Sequence, residues 1–552
     1  MMDAGCRLND PCFGIAEQRW TEMKSDRVKH EADWDDITRL MGVNRGNFST
    51  ERTMERAPEK PLSSSPFMAR SNFSAGLYGT LTNPANRWFG FRTNDPDLNN
   101  HQPAKLWMDL VTDRVLASFM PGVSPFYSST TQVFSDLALL GNAAQYDELV
   151  LAEKKIMDVT LSLAEVVYDI DAYGRVCEVV RKFYLKPAAA LRMFGPKALP
   201  PEFADLAAKG SQDKHVFYQH VLPNDGFTPG CIGAKGKRWL SRYCCECCRC
   251  CVRESGYDEM PFFAPRWEVD SGQIYGVGPG FVALASARTH HRMEDAAIRA
   301  AQRAADPTLL APDRQDWSLN GKIRPGQVIY GGLNIQGNQM LRPLEITGQI
   351  GLTLQDRQQK DAEIKDAFHY TLMQLSGRTG MTATEVMTIT EERQRLWAPH
   401  QGRVQEEYLA PKISRRFALL WRAGQLPPPP EGMAGASLEV TYQSAAAAAQ
   451  RSVEGNAALR FIQDLEPLMQ IEPRIADRID TDGLIEVLGD ARGVPAKMIR
   501  SREDADALAQ HRNQMQQMAA TMGAMQQGAG ALKDVAAAAG AMQGAQGQGA
   551  RP

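Results

Sequence analysis

Six of the ten cysteines in this sequence fall within eight residues: Cys244, Cys245, Cys247, Cys248, Cys250 and Cys251. Thiols at overlapping C-x-x-C spacing are soft ligands suited to zinc or an iron–sulfur cluster. A closed zinc site, however, needs two separated ligand pairs, and adjacent cysteines cannot all reach one ion. If a metal binds within the cluster, the spacing favours Cys244, Cys247, Cys248 and Cys251, with Cys231, His215 and His220 as the nearest donors outside it. The competing reading is a single strand, Trp239 to Val252, whose small reduced thiols alternate across both faces. That reading expects neither metal nor cofactor.

The remaining chemistry-bearing groups are less specific. His290, His291 and Glu294 lie on one helical segment, and the i, i+3 spacing of His291 and Glu294 places them on one face, as a metal pair or a polar contact face. Asp169 and Asp171 fit a tight turn; position 12 counted from Asp169 is Val180, so the calcium-loop pattern fails. Tyr275 to Gly280, YGVGPG, departs from a dinucleotide fingerprint, and Pro279 removes an N–H that a phosphate would need. GAKGKRW, Gly233 to Trp239, lacks the spacing and the Ser or Thr of a P-loop, which argues against an ATP-driven motor. G-x-S-x-G and H-E-x-x-H signatures are absent from the sequence, so the chain does not read as an enzyme.

These groups must be carried by several elements. A chain of 552 residues exceeds one ordinary core, which implies about two to four domains. Helical patterns cover 14–42, Pro66 to Thr82, Pro103 to Met120 and Pro125 to Leu140; in the first, Trp20, Met23, Val28 and Leu40 are scattered among charges. Near Val159 the period changes to that of strands: TLSLAEVVYDI, the turn DAYG and RVCEVVRKFYL predict a hairpin. A short helix at Pro187 to Phe194 and strands at Val216 to Leu222 and Trp239 to Val252 follow, so 1–275 reads as one α+β region. FVALASARTHHRMEDAAIRAAQRA, from Phe281, predicts a helix about 36 Å long. It is only weakly amphipathic, which suits a helix covered by like neighbours. Short strands and turns fill Asp306 to Pro343, and a second helix runs from Gly348 to about Leu375.

The net charge is −3, without a strong global field, whereas a chain that grips nucleic acid for affinity is usually basic overall or on one face. There is no apolar run long enough to span a membrane and no visible signal peptide, so synthesis in the cytosol is expected.

Gly377 to Pro430 combines a capping-box start, Thr382 with Glu385, a helix carrying Leu409, Ile413, Phe417, Leu420 and Trp421, and a stop at Gly424 and Pro427 to Pro430. Its order T-A-T-E-V, E-E-Y-L-x-P, R-R-F-x-L-L and R-A-G-x-L-P-x-x-P resembles the portal (head-to-tail connector) proteins of T7-like short-tailed bacteriophages. ARSNFSAGLYGTLTNPANRWFGF, Ala69 to Phe91, and PFFAPRWEVDSGQIYGVGPGFVAL, Pro261 to Leu284, resemble the same family in the same order, with weaker similarity continuing to about Ile499.

The resemblance implies an α+β, mainly helical portal fold assembled as a dodecameric ring at one capsid vertex, with an axial channel for double-stranded DNA. Its regions would be a wing (1–275), a first stem helix (276–304), a β-rich clip (305–343), a second stem helix (344–376), a channel loop and long wing helix (377–430), a helical crown (431–500) and a terminal barrel or partly disordered tail (501–552). In that tail, Leu508, His511, Met515, Met518, Met522, Met525, Ala529 and Leu532 keep a coiled-coil spacing. The implied partners are terminase, a tail adaptor, capsid and scaffold proteins, with assembly in the bacterial cytoplasm and residence in the virion. Gly377, Arg378, Thr379 and Gly380 would form the DNA-facing loop, where Arg378 either touches phosphate or pairs with a neighbouring acid. Asp313, Arg314 and Arg324 would belong to the clip's docking surface. Two rival roles stand beside this one: a metal-binding protein built on the cysteine cluster, and a hydrolase with a deep pocket and perturbed carboxylates.

Overall fold

The computed structural model describes residues 10–42, 61–150, 155–305, 350–370, 399–433, 437–442, 457–465, 480–492 and 504–519, with isolated residues and short pieces between them. The chain divides into two compact units, Met1–Trp88 with Arg114–Leu426 and Phe89–Asp113 with Pro427–Pro552.

In the first unit, helix α1 (Pro11–Met41) starts where Asp10 accepts a bond from the Cys12 N–H and Pro11 occupies the first turn, the position that tolerates a missing donor. Phe13, Ala16, Trp20 and Met23 recur at helical spacing and pack on Val167, Val180 and Tyr218. The sequence placed Val28 with the apolar residues of this helix, but it is exposed, and the inward stripe continues instead through Arg27, Glu31 and Trp34. Arg27 is tolerated there because its guanidinium bonds Glu31 at 2.9 Å and the Val166 carbonyl at 2.9 Å. Helix α2 (Ser65–Leu81) follows and ends before the turn at Asn83, whose side chain accepts from the Ala85 N–H at 2.9 Å.

The sheet beneath α1 is a five-stranded antiparallel meander of β4 (Val166–Ile170), β5 (Val176–Leu185), β6 (His215–Pro223), β7 (Trp239–Cys245) and β8 (Cys250–Tyr257). The Asp171 carboxylate accepts from the Tyr173 and Arg175 N–H groups and shapes the β4–β5 turn; those bonds, the Arg175 one foremost, hold its pKa below the usual carboxylate range. The predicted hairpin is therefore present, although Thr160 and Leu161 belong to the preceding strand. On the other sheet face, α6 (Pro187–Phe194) and α7 (Pro201–Ala208) pack on Phe183, Phe217 and Tyr243.

A smaller antiparallel sheet has the order β3 (Lys155–Leu161), β2 (Ala144–Val150), β9 (Phe262–Phe263). Helix α5 (Phe126–Leu140) is buried on nearly every side and ends at Gly141, whose φ of 69° is left-handed. Helices α8 (Pro279–Ala305) and α9 (Ile350–Ala367) run antiparallel, since Ser286 bonds Glu363 at 2.6 Å while Glu294 pairs with Arg357 at 3.2 Å. Between them, the two-residue strands β10 (Leu309–Leu310) and β11 (Arg342–Pro343) pair antiparallel.

The long helix read from Thr382 is described only from residue 399, and there it is not regular. A π turn, Gln405–Leu409, precedes α10 (Ala410–Arg422). Pro411 has no N–H to continue an α ladder, and the Ala410 N–H instead reaches the Gln405 carbonyl. The predicted stop is present: Gly424 has a φ of 67°, and the Gln425 N–H closes onto the Leu420 carbonyl.

In the second unit, β1 (Phe89–Thr93) pairs antiparallel with β12 (Leu438–Tyr442). The Trp107 indole donates to the Pro427 carbonyl at 3.0 Å. Phe89–Asp113, placed by the sequence inside 1–275, thus groups with the chain beyond Pro427. Also in this unit are α3 (Pro96–Asn100), the beginning of α4 (Gln102–Phe119), α11 (Thr481–Arg492), and helical turns at 504–519 whose side chains are exposed. The remainder of the predicted coiled-coil segment, from residue 520, lies outside the described residues.

Candidate functional site

Helix α10 turns a charged face inward. The sequence pattern placed Phe417 and Trp421 on the buried stripe, but Phe417 is only half-buried and Trp421 is 43% exposed. Lys412, Arg415 and Arg416 are buried instead, beside Ile413 and Leu420. Their i, i+3 and i+4 spacing puts the three cations on one face.

They meet two aspartates on the small sheet. Asp147 in β2 and Asp158 in β3 are direct cross-strand partners, and both are fully buried. Like charges directly opposite one another weaken a sheet, so this ladder depends on counter-charge from α10. Arg416 forks both oxygens of Asp158 at 2.7 and 3.0 Å. Lys412 pairs with Asp158 and donates to Gln145 at 2.7 Å. Arg415 pairs with Asp147 and donates to the Glu259 carbonyl at 2.9 Å. Burial alone would raise the Asp158 pKa, but the nearby Lys412 and Arg416 outweigh it and hold the carboxyl at about 2. Aromatic faces complete the pocket: Lys412 lies 4.7 Å from the Phe263 ring centre and Arg416 lies 4.6 Å from that of Phe119.

A second clamp sits one turn earlier. Arg266 forks Glu407, at 3.1 and 2.7 Å, and also donates to the Gly174 carbonyl at 2.6 Å. The π turn presenting Glu407 is therefore tied to the β4–β5 turn. The adjoining YGVGPG segment is structural too. A Cβ on Gly280 would stand 2.2 Å from the Leu139 carbonyl oxygen, and one on Gly278 would stand 2.5 Å from the Gly141 nitrogen. These glycines allow close backbone contact where α8 begins, in keeping with the rejection of a phosphate-binding loop.

On α8, His290 rather than His291 faces Glu294, at 3.7 Å, and it is buried. Burial lowers the His290 pKa, and Glu294 is already engaged by Arg357. Helix α8 is also anchored to α1, where Arg288 reaches Asp33 and Asp36.

The cysteines occupy a hairpin rather than one strand, with 246–249 forming the tip and Arg249 at a φ of 47°. The quartet Cys244, Cys247, Cys248 and Cys251 is not brought together. Cys244 and Cys251 are cross-strand partners packed under α1, whereas Cys245 and Cys250 face α6 and α7. The thiols that do converge are those of Cys245, Cys247 and Cys248. Thiol alternation across the two faces holds within each strand, and no disulfide joins any of the nine described cysteines. His220 is taken by Glu178, at 2.6 Å. The predicted loop residues Gly377, Arg378, Thr379 and Gly380, and the docking residues Asp313, Arg314 and Arg324, lie outside the described residues.

The buried charge pairs tie the helical segment of Glu407 and α10 to the sheets and turns beneath it. Residues 14–499 match the family described as bacteriophage head to tail connecting protein, and the chain belongs to that family. Its relatives include the portal protein of Salmonella phage epsilon15, 26% identical over 534 residues, and the probable portal protein of Bordetella phage BPP-1, 27% identical over 525 residues. Each similarity covers 93% of this chain and 93% of the relative. The portal resemblance read from the sequence is thereby borne out, and a role defined by the cysteine cluster is not favoured. A chain from the virion of a native gene transfer agent particle is 12% identical over 84% of this chain and 98% of its own, with a TM-score of 0.31, which supports no argument about geometry. Among the described residues, no helix is long and apolar enough to cross a membrane.

Proposed function

We propose that this chain, a portal protein of the virion's head–tail connection, closes into a dodecameric ring at one capsid vertex, through which double-stranded DNA is packaged and ejected. The family match over residues 14–499 carries this reading. In it, 1–275 with the long helix of 377–430 forms the wing, 276–304 and 344–376 the stem, 305–343 the clip, 431–500 the crown, and 501–552 a barrel or tail. The α8–α9 pair supports the stem assignment. Beyond His291, α8 exposes Ala296, Ile298, Ala300 and Ala301, a surface that neighbouring subunits would cover. A closed ring of identical chains requires a head-to-tail interface of two complementary surfaces.

The clip, with Asp313, Arg314 and Arg324, would dock terminase during packaging and the tail adaptor afterwards. Capsid and scaffold proteins would hold the ring at the vertex during assembly in the bacterial cytoplasm. Gly377, Arg378, Thr379 and Gly380 would line the channel, with Arg378 making a transient phosphate contact. Arg378→Ala is then expected to leave ring formation intact while reducing packaged or retained DNA several-fold in a packaging assay. Normal packaging and retention by that variant would remove Arg378 from the channel.

A further inference from the structure

We propose that the β7–β8 hairpin tip is a metal site for a zinc-like d10 ion, held by Cys245, Cys247 and Cys248 with His215 of the adjacent strand as fourth ligand. The three sulfurs lie within 4.8 Å of one another. Cys247 Sγ stands 3.3 Å from Cys245 Sγ and 3.2 Å from Cys248 Sγ. Tetrahedral zinc with bonds of about 2.3 Å sets its sulfurs roughly 3.7 Å apart, so those two pairs need only spread by a few tenths of an ångström.

His215 belongs to this site by register and by chemistry. Phe217 is the cross-strand partner of Cys245, and His215, two residues away in the same strand, shares its sheet face. Its ring lies 4.9 Å from Phe203, in the cluster that contains Cys245 and packs against Cys248. Its Nε2 is buried without a hydrogen-bond partner, an arrangement that leaves a donor or acceptor unsatisfied. A turn of the imidazole toward the tip would satisfy it by coordination. The other outside donors are excluded: His220 is bonded to Glu178, and Cys231 lies in the exposed loop leading to Lys237 and Trp239, at the opposite end of β7.

Binding would replace thiol protons by metal. Cys247 is exposed, which leaves an entry path for the ion. The site would brace a hairpin tip whose Arg249 already occupies a left-handed conformation.

The test is titration of the reduced full-length protein with cobalt(II), followed by competition with zinc. One cobalt per chain is expected, with the thiolate charge-transfer band and intense visible bands of tetrahedral coordination. Cys247→Ser, at an exposed position, should weaken binding at least about 100-fold, whereas Cys244→Ser and Cys251→Ser, on the opposite sheet face, should leave the spectrum unchanged. His215→Ala should shift the visible bands and weaken binding about 10–100-fold. The proposal is overturned by failure of the wild-type chain to bind cobalt, by equal losses from variants on both faces, or by a His215→Ala spectrum identical to wild type.

Discussion

Asp158→Ala is expected to destabilise the first unit by about 3–5 kcal/mol, because it strands buried Lys412 and Arg416 without their shared carboxylate. For a unit of this size that is a fall on the order of 10 °C in its thermal transition, measurable by calorimetry together with protease sensitivity of the α10 segment. Asp158→Leu combined with Lys412→Met should recover part of the loss, since an apolar pair can replace a buried ionic one at little cost. A transition within 2 °C or so of wild type for Asp158→Ala would mean that water reaches the cluster and the burial argument fails. The sign of the pH dependence follows from the same contact. A carboxyl depressed in the folded state contributes stability that is complete above its unfolded value of about 3.9 and is lost as pH falls through the folded value. For Asp158 that window runs from about 4 down to about 2. Glu178 adds to it: burial opposes its ionisation, but His220 and Arg19 hold it at about 2. Acid unfolding of wild type should therefore steepen below about pH 4, and Asp158→Ala should flatten part of that slope.

Gly280→Ala is expected to cost about 3 kcal/mol or more. Its methyl would lie 2.2 Å from the Leu139 carbonyl oxygen, a backbone atom that cannot rotate aside. The start of α8 would have to move away from the end of α5, carrying with it the helix that packs against α9 and α1. The loss should appear as poor yield of folded chain and few assembled particles. Gly79→Ala is the matched control: nothing lies within 4 Å of its Cβ, and it sits inside α2. There alanine should stabilise by about 0.5–1 kcal/mol. Equal behaviour of the two variants in calorimetry and in assembly would refute the close-packing account of YGVGPG.

Periodicity served the sequence reading well where one apolar face meets one layer. The helices near Pro66 to Thr82, Pro125 to Leu140 and Phe281 onward all lie close to their predicted positions, and DAYG sits in its turn because Asp171 supplies the acceptors. The pattern failed where charge is buried. Lys412, Arg415 and Arg416 look like a solvated face, and only the cross-strand meeting of Asp147 with Asp158 turns that face inward. A K-x-x-R-R run beside two aspartates in neighbouring strands was the available signal, but strand register is a long-range property that local spacing does not encode. The same limit explains the cysteines. An unbroken run of strand-forming residues hid a four-residue tip, and with it the divergence of Cys244 and Cys251 from Cys247 and Cys248. Phe89–Asp113 was misgrouped for a similar reason, since its strand partner, Leu438–Tyr442, lies some 350 residues away in sequence.

Negative-stain imaging of the purified full-length chain, with mass determination in solution, tests the central claim most directly. Closure of this chain around a channel predicts annular particles of twelvefold symmetry with a central hole wide enough for duplex DNA, about 20 Å or more across. A protein that remains monomeric under every assembly condition, with no annular particles, would contradict it.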